Sequence, residues 1–120
     1  MKIAHIYKRD QSKQPFKLDK ITSAILQAMI SVGKDDEEEA VRLAANVHAE
    51  LLNRKKMLKN YLPNIEEIQD IVEQTLMKNE HFDVAKNYIL YREKQNARRQ
   101  RNIFEKRLNL KPYEYPELYE

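Results

Sequence analysis

The chain has 120 residues, 42% apolar and 34% charged, enough for one domain with a workable core and, against an average of about 25% charged, for long solvated helix faces. It has no cysteine, which excludes disulfides, thiolate metal sites and thiyl chemistry, and one glycine, too few for a glycine-rich phosphate loop or a turn-rich all-β fold. Its net charge is +3, unevenly spread: Lys2, Lys8, Arg9, Lys13, Lys17 and Lys20 face only Asp10 and Asp19 within residues 1–33, and residues 92–107 carry a second basic excess, while the middle is acidic.

Two basic patches separated by an acidic segment point to phosphate-bearing partners, either nucleotides or nucleic acid. No apolar run approaches the roughly 18 residues of a membrane span. Residues 1–8 also lack the apolar block of a secretory signal, so a cytoplasmic protein with no membrane partner is expected.

The first elements are two short strands. Ile3, Ala4, Ile6 and Tyr7 alternate loosely, a polar turn follows through Asp10-Gln11-Ser12-Lys13, and Gln14-Pro15-Phe16-Lys17 returns. An isolated hairpin is marginal and must lie on something else. Helical spacing then links Leu18, Ile21, Ala24, Ile25, Ala28, Met29 and Val32, with Asp19 placed to cap and Gly33 to stop the helix. A second helix opens at Asp35 or Asp36 with an acidic first turn and shows Val41, Ala44, Ala45, His48, Leu51 and Leu52 as its stripe.

Residues 53–63 read as a basic connector. Asn64 and Glu67 have capping-box spacing at the start of a third helix, whose face is Ile65, Ile68, Ile71, Val72, Thr75 and Leu76. A fourth helix starts near Asp83 with Val84, Ala85, Tyr88, Ile89 and Tyr91, and nothing breaks it before Pro112. The expected class is α+β, mostly α. Residues 1–95 form the domain; residues 96–120 are a basic helix extension followed by a Pro- and Tyr-rich linker toward a further domain.

Catalytic chemistry is poorly supplied. His5, His48 and His81 lie far apart, and none has a carboxylate or histidine at metal-ligand spacing, so no side-chain metal site and no catalytic residue is expected. His48 falls on the inner stripe of its helix, where a structural role outweighs a ligand role. If the strands pair, Lys8, Arg9, Lys17 and Lys20 gather at one end of the module, where Arg offers a fork and Lys a point charge to phosphate. From the residues alone, a solvated cationic face explains them equally well.

Ile6-Tyr7-Lys8-Arg9-Asp10, then Pro15-Phe16, then Asp19-Lys20-Ile21, resembles the opening of the ATP-cone family, the module by which ribonucleotide reductases sense ATP and dATP. Pro63 to Glu73 is similar to the family's third helix, and Ala85 to Arg92 to its last. Each piece alone is weak, but four in order over residues 2–95 are specific. Gln11 departs from the family, which has glycine after Lys-Arg-Asp, so a turn with positive φ would be strained there.

The resemblance implies a β-hairpin lid over a four-helix bundle, its last helix extended, with ATP or dATP and Mg²⁺ beneath the lid. Lys8 and Arg9 would contact phosphates with Ile6 nearby, while Gln14, Lys17, Lys20 and Ile21 line the base and sugar. Asn64 would present donors to an anion, and Tyr91 and Lys94 would close the pocket; the extra cations Lys86, Arg92 and Arg98 leave room for a second nucleotide. The implied activity is allosteric control of a reductase through nucleotide-dependent oligomerisation. Its partners would be other copies of this domain, with the Arg-rich helix and the acidic second helix as mating surfaces, and another reductase subunit. Leu110-Lys111-Pro112-Tyr113-Glu114-Tyr115-Pro116 is similar to the lead-in of the small, radical-generating subunit. Two alternatives stand beside it: a nucleotide-independent interaction bundle, and a nucleic-acid module along residues 92–107. The second is weakened because only Phe104 interleaves with the arginines.

Overall fold

The computed structural model describes residues 2–107; the tail read as a linker, with its likeness to a small-subunit lead-in, lies outside the described residues. The elements run β1 (His5–Tyr7), β2 (Lys13–Pro15), α1 (Leu18–Ser31), α2 (Glu37–Met57), α3 (Ile65–Lys78) and α4 (Phe82–Arg107). The hairpin, the four helices and the extended last helix follow the expected α+β class. The chain divides into two compact units, the first up to Ile89 and the second from Leu90, with α4 running through the boundary.

β1 and β2 pair antiparallel, with Ile6 opposite Gln14 and Tyr7 opposite Lys13. The turn closes through Lys8 N–H to the Ser12 carbonyl at 2.7 Å and Gln11 N–H to the Lys8 carbonyl at 3.0 Å. Gln11 takes φ +70°, so the chain keeps the left-handed turn without the glycine that suits it, at a cost of about 1–2 kcal/mol. Asp10 Oδ1 braces the turn by accepting from Ser12 N–H and Oγ–H, bonds that hold its carboxyl below the usual value. The outer edge of β1 is also used. Tyr7 N–H donates to the Pro63 carbonyl at 2.9 Å, and Tyr7 bridges Asn64 in parallel, which ties the marginal hairpin to the start of α3.

The helices depart from the sequence expectations in three places. Lys17, not Asp19, is the N-cap of α1, and it supplies no side-chain cap; Asp19 lies inside the first turn. α2 continues to Met57, because Asn53, Arg54, Lys55 and Lys56 are compatible with helix and the connector shortens to residues 58–63. Its buried stripe is Ala40, Leu43, Ala44, Val47 and Leu51, leaving Val41 and Ala45 exposed. Both stripes have helical spacing, and the one with the bulkier Leu43 and Val47 wins the core. Gly33 (φ +81°) ends α1 as expected, with Lys34 N–H reaching back to the Met29 carbonyl at 2.8 Å.

In the first unit, Ile25, Met29, Leu43, Leu51, Ile71, Leu76 and Val84 form the buried centre. α1 and α2 pack together, as do α2 and α3. Hydrogen bonds show the alternating direction: Arg42 near the start of α2 donates to Asn79 at the end of α3 (3.1 Å), and Arg54 near the end of α2 donates to Glu67 at the start of α3 (2.9 Å). The unit therefore has a hairpin end and a distal end. At the distal end Glu39 Oε1 and Oε2 accept from Arg42 at 2.5 and 2.7 Å, and Oε2 lies 2.6 Å from His81 Nε2. These bonds pull the Glu39 carboxyl down to about 2.

Candidate functional site

Strand alternation sorts the hairpin into two faces. Ile6 and Gln14 share one, and Lys8, two residues beyond Ile6, continues it; Ile6 is buried in the core and Gln14 half-buried. Phe16 N–H donates to the Ala4 carbonyl at 2.9 Å, and the Phe16 ring stacks on His48 of α2 at 5.5 Å between centroids. His48 is thus a packing residue that pins the hairpin root, as its position on the helix suggests.

Lys8 and Arg9 sit at the hairpin tip, whereas Lys17 follows the root. All four cations lie at the hairpin end of the unit, but they are spread along the hairpin: antiparallel pairing places Ser12 beside Lys8 and Phe16 beside Ala4, four residues apart on each strand, or about 13 Å. They flank the inner face of the hairpin instead. That separation suits an elongated anion better than a compact one.

The N-terminus of α1 is unusual. A helix start carries unsatisfied N–H groups and partial positive charge, normally met by a capping side chain and acidic residues. Here Lys17 is an uncapped N-cap and Lys20 lies in the first turn beside buried Ile21, with Asp19 as the acidic residue. Lys8, Lys17 and Lys20 form no ion pair among the described residues. Positive side chains around a positive helix end form a ready anion site.

The start of α3 is the reverse. Asn64 Oδ1 accepts from Glu67 N–H at 2.8 Å, so half of the capping box forms, and Glu66 and Glu67 neutralise the first turn. The Glu67 side chain does not return to the cap; it accepts from Arg54 Nη1 and from the Tyr61 hydroxyl, and burial with this carboxylate pushes the Tyr61 phenol up. Asn64 is therefore engaged as a cap, at a helix end already supplied with carboxylates. Arg9 is drawn to the same place, with Nε 3.2 Å from Glu66 Oε1. The pair is half-exposed and weak enough for a phosphate to displace.

Lys86 lies elsewhere. Its neighbour Asn87 donates to Ser31 Oγ at 3.0 Å, and Ser31 ends α1, about 20 Å along that helix from Leu18 at 1.5 Å per residue. Its place at the distal end removes it from the hairpin cations. Tyr91 and Lys94 stand three residues apart on one face of α4 in the second unit, with Tyr91 40% exposed. Tyr88, by contrast, is buried in the core.

Sequence reasoning missed two residues. One is Glu66, the tether of Arg9. The other is Gln69, whose buried Oε1 has no hydrogen-bond partner among the described residues. A buried polar atom left unpaired costs about 1–3 kcal/mol, so it is an exception in a packed domain. The signal was present: Gln69 interrupts the spacing Ile65, Val72, Leu76 with a polar side chain. Among the described residues no group of three or more His, Asp or Glu is placed to hold a metal ion, and no helix is long and apolar enough to cross a membrane.

Residues 4–97 match the family model described as the ATP cone domain. A vitamin B12-dependent ribonucleoside-diphosphate reductase from Thermoplasma acidophilum is 43% identical over 103 residues, covering 82% of this chain and 13% of the relative. An anaerobic ribonucleoside-triphosphate reductase from Salmonella typhimurium is 34% identical over 97 residues (81% and 13%). A ribonucleoside-diphosphate reductase subunit alpha from Treponema pallidum is 36% identical over 97 residues (79% and 12%). The chain thus spans about an eighth of the length of these relatives. With the hairpin, the helix order and the matched segment in agreement, the chain belongs to the ATP-cone domain family, whose members are regulatory nucleotide-binding domains.

Proposed function

We propose that this chain is the effector-sensing module of a ribonucleotide reductase, holding ATP or dATP on the inner face of its hairpin and passing the ligand's identity to the assembly state of its host. The uncapped, lysine-rich N-terminus of α1 carries this reading, together with Lys8 across the hairpin, which forms no ion pair among the described residues. The triphosphate lies toward Lys8 and Arg9, with Lys17 and Lys20 adding positive field; Ile6, Gln14 and Ile21 wall the nucleoside. The module is the segment of residues 1–95. The donor set is cationic, so Mg²⁺ comes with the triphosphate and takes its oxygens and water as ligands rather than carboxylates of the chain.

Nucleotide changes assembly only by binding two states with different affinity. The Arg9–Glu66 pair offers such a difference. A phosphate that takes Arg9 releases Glu66 in the first turn of α3, so ligand occupancy alters the electrostatics where the hairpin is tied to the bundle. The hydroxyl that separates ATP from dATP acts by changing how the nucleoside seats against Ile6, Gln14 and Ile21. The host is a cytoplasmic enzyme of deoxyribonucleotide synthesis, this module is its regulatory and not its catalytic part, and the partners are further copies of the domain and another reductase subunit.

Calorimetric titration with ATP, dATP and GTP in Mg²⁺, with the mass measured in each ligand, tests the proposal. Saturable adenine-selective binding that Lys8→Ala weakens about tenfold supports it, and a dATP-specific rise in mass supports the switch. Indifference to all three nucleotides would reduce the cone to a structural bundle, and hydrolysis of ATP by the purified chain would overturn its purely regulatory role.

A further inference from the structure

The other face of the hairpin is not idle. Tyr7 and Lys13, paired across the strands and opposite in direction to Ile6 and Gln14, line a cavity of 760 Å³ whose remaining wall is the end of α2 and the connector to α3. Lys55, Lys56, Lys59 and Tyr61 contribute to that wall. It contains none of the residues assigned above to the nucleotide.

Four lysines and no carboxylate line this cavity. Lys55 is positioned by donating to the Lys2 carbonyl, while Lys13, Lys56 and Lys59 form no ion pair among the described residues. Repulsion among like charges on one concave surface opposes folding unless an anion offsets it. The two tyrosines are half-buried, so each is held and still presents surface to the cavity. Tyr61 is fixed through its hydroxyl bond to Glu67. Met57 and Leu58, on the same wall, are 76% and 54% exposed.

We propose that this groove binds a single strand of nucleic acid, with the lysines on successive phosphates and the tyrosines stacked on bases. The alternation of cations and aromatics that residues 92–107 lack is present here, and it is the combination that holds a strand without reading its sequence. Lysines contribute point charge and no bidentate fork, which favours a repeated anion over one terminal triphosphate. The groove also lacks an uncapped helix start like that of α1. An acidic peptide would satisfy the lysines but leave the tyrosine faces and exposed Met57 without partners. The site is independent of the adenine-nucleotide proposal, since the two lie on opposite hairpin faces.

Anisotropy of a labelled oligothymidylate of about 12 nucleotides, within the usual span of a strand-binding site, provides the test on the full chain. Three to four lysine contacts predict that log K falls with log salt at a slope of about −2 to −3. Lys56→Glu with Lys59→Glu should weaken binding about tenfold or more and flatten that slope, and Lys13→Glu on the opposite wall should do the same. Tyr7→Leu should weaken it about tenfold with the slope unchanged. Lys8→Ala should leave strand binding intact, and the Lys56/Lys59 variant should titrate ATP as the parent does, which also shows that it is folded. Binding unaffected by the groove variants, or lost only on replacing Arg98 and Arg99, overturns the assignment. Displacement by ATP would make this a free-nucleotide site instead, and equal displacement by polyglutamate would make it a bare anion patch.

Discussion

The two ends of the first unit are built from the same helices and differ in how their charges are settled. At the distal end the polar groups answer one another: Glu39 holds Arg42 and His81, Arg42 reaches Asn79, Lys34 pairs with Asp83, and Asp36 caps α2 by accepting from Glu39 N–H at 3.1 Å. At the hairpin end the carboxylates Glu50, Glu66 and Glu67 are taken by Arg54 and Arg9, and Lys8, Lys13, Lys17, Lys20, Lys56 and Lys59 are left without ion-pair partners among the described residues. Where a domain needs only stability it pairs its charges locally; where it waits for an anion it cannot. On the proposed reading, unpaired like charge beside an uncapped helix start distinguishes the nucleotide end better than charge density does, since the acidic α2 start is just as densely charged.

The sharpest way to break this comparison is to remove cations from one end and anions from the other. Lys8→Ala with Lys20→Ala should weaken ATP binding about 100-fold, about 1.5 kcal/mol for each charged hydrogen bond lost, while the melting temperature stays nearly unchanged. A large loss of stability would mean that these lysines are structural. At the distal end Glu39→Gln should do the opposite, lowering stability by about 1 kcal/mol and leaving the ATP titration intact.

Glu39 also gives the comparison a pH dependence. Its folded value of about 2 lies below its ordinary 4.5, so its contribution is present above pH 4.5 and fades as pH falls toward 2. Thermal melts at pH 7 and pH 3 should therefore show a smaller acid loss in Glu39→Gln than in the parent; equal losses would show that the distal cluster is not what acid breaks.

Two smaller effects refine the hairpin end. Gln11→Gly should raise stability by about 1 kcal/mol in denaturant unfolding, by relieving the left-handed backbone at φ +70°. Glu66→Gln should improve ATP affinity only about twofold to threefold in calorimetry, because it frees Arg9 from an exposed pair worth less than 1 kcal/mol. A weakening instead would show that Glu66 positions Arg9 for the ligand rather than competing for it.

Much of the molecule was legible as a string of residues. Three- and four-residue spacing located all four helices, Gly33 and Asn64 marked a true stop and start, and the alternation around Asp10-Gln11-Ser12 located the hairpin. The Lys-Arg-Asp strand and the Asp19-Lys20-Ile21 opening of α1 pointed to the family. These signals are local, set by backbone periodicity and capping within a few residues, so they survive without knowledge of the fold.

What only the tertiary structure decided is which of several locally allowed arrangements is used. α2 had two stripes of helical spacing, and packing chose the one through Leu43 and Val47. Lys86 carries the same charge as Lys20, yet chain direction sets it at the distal end beside the Asn87–Ser31 bond. Register placed Lys8 and Lys17 at opposite ends of the hairpin, Arg9 found Glu66 across 57 residues of sequence, and Gln69 became an orphan only when its surroundings closed. Charge pairing and desolvation depend on distances between segments remote in the chain, and those distances exist only once the helices have packed.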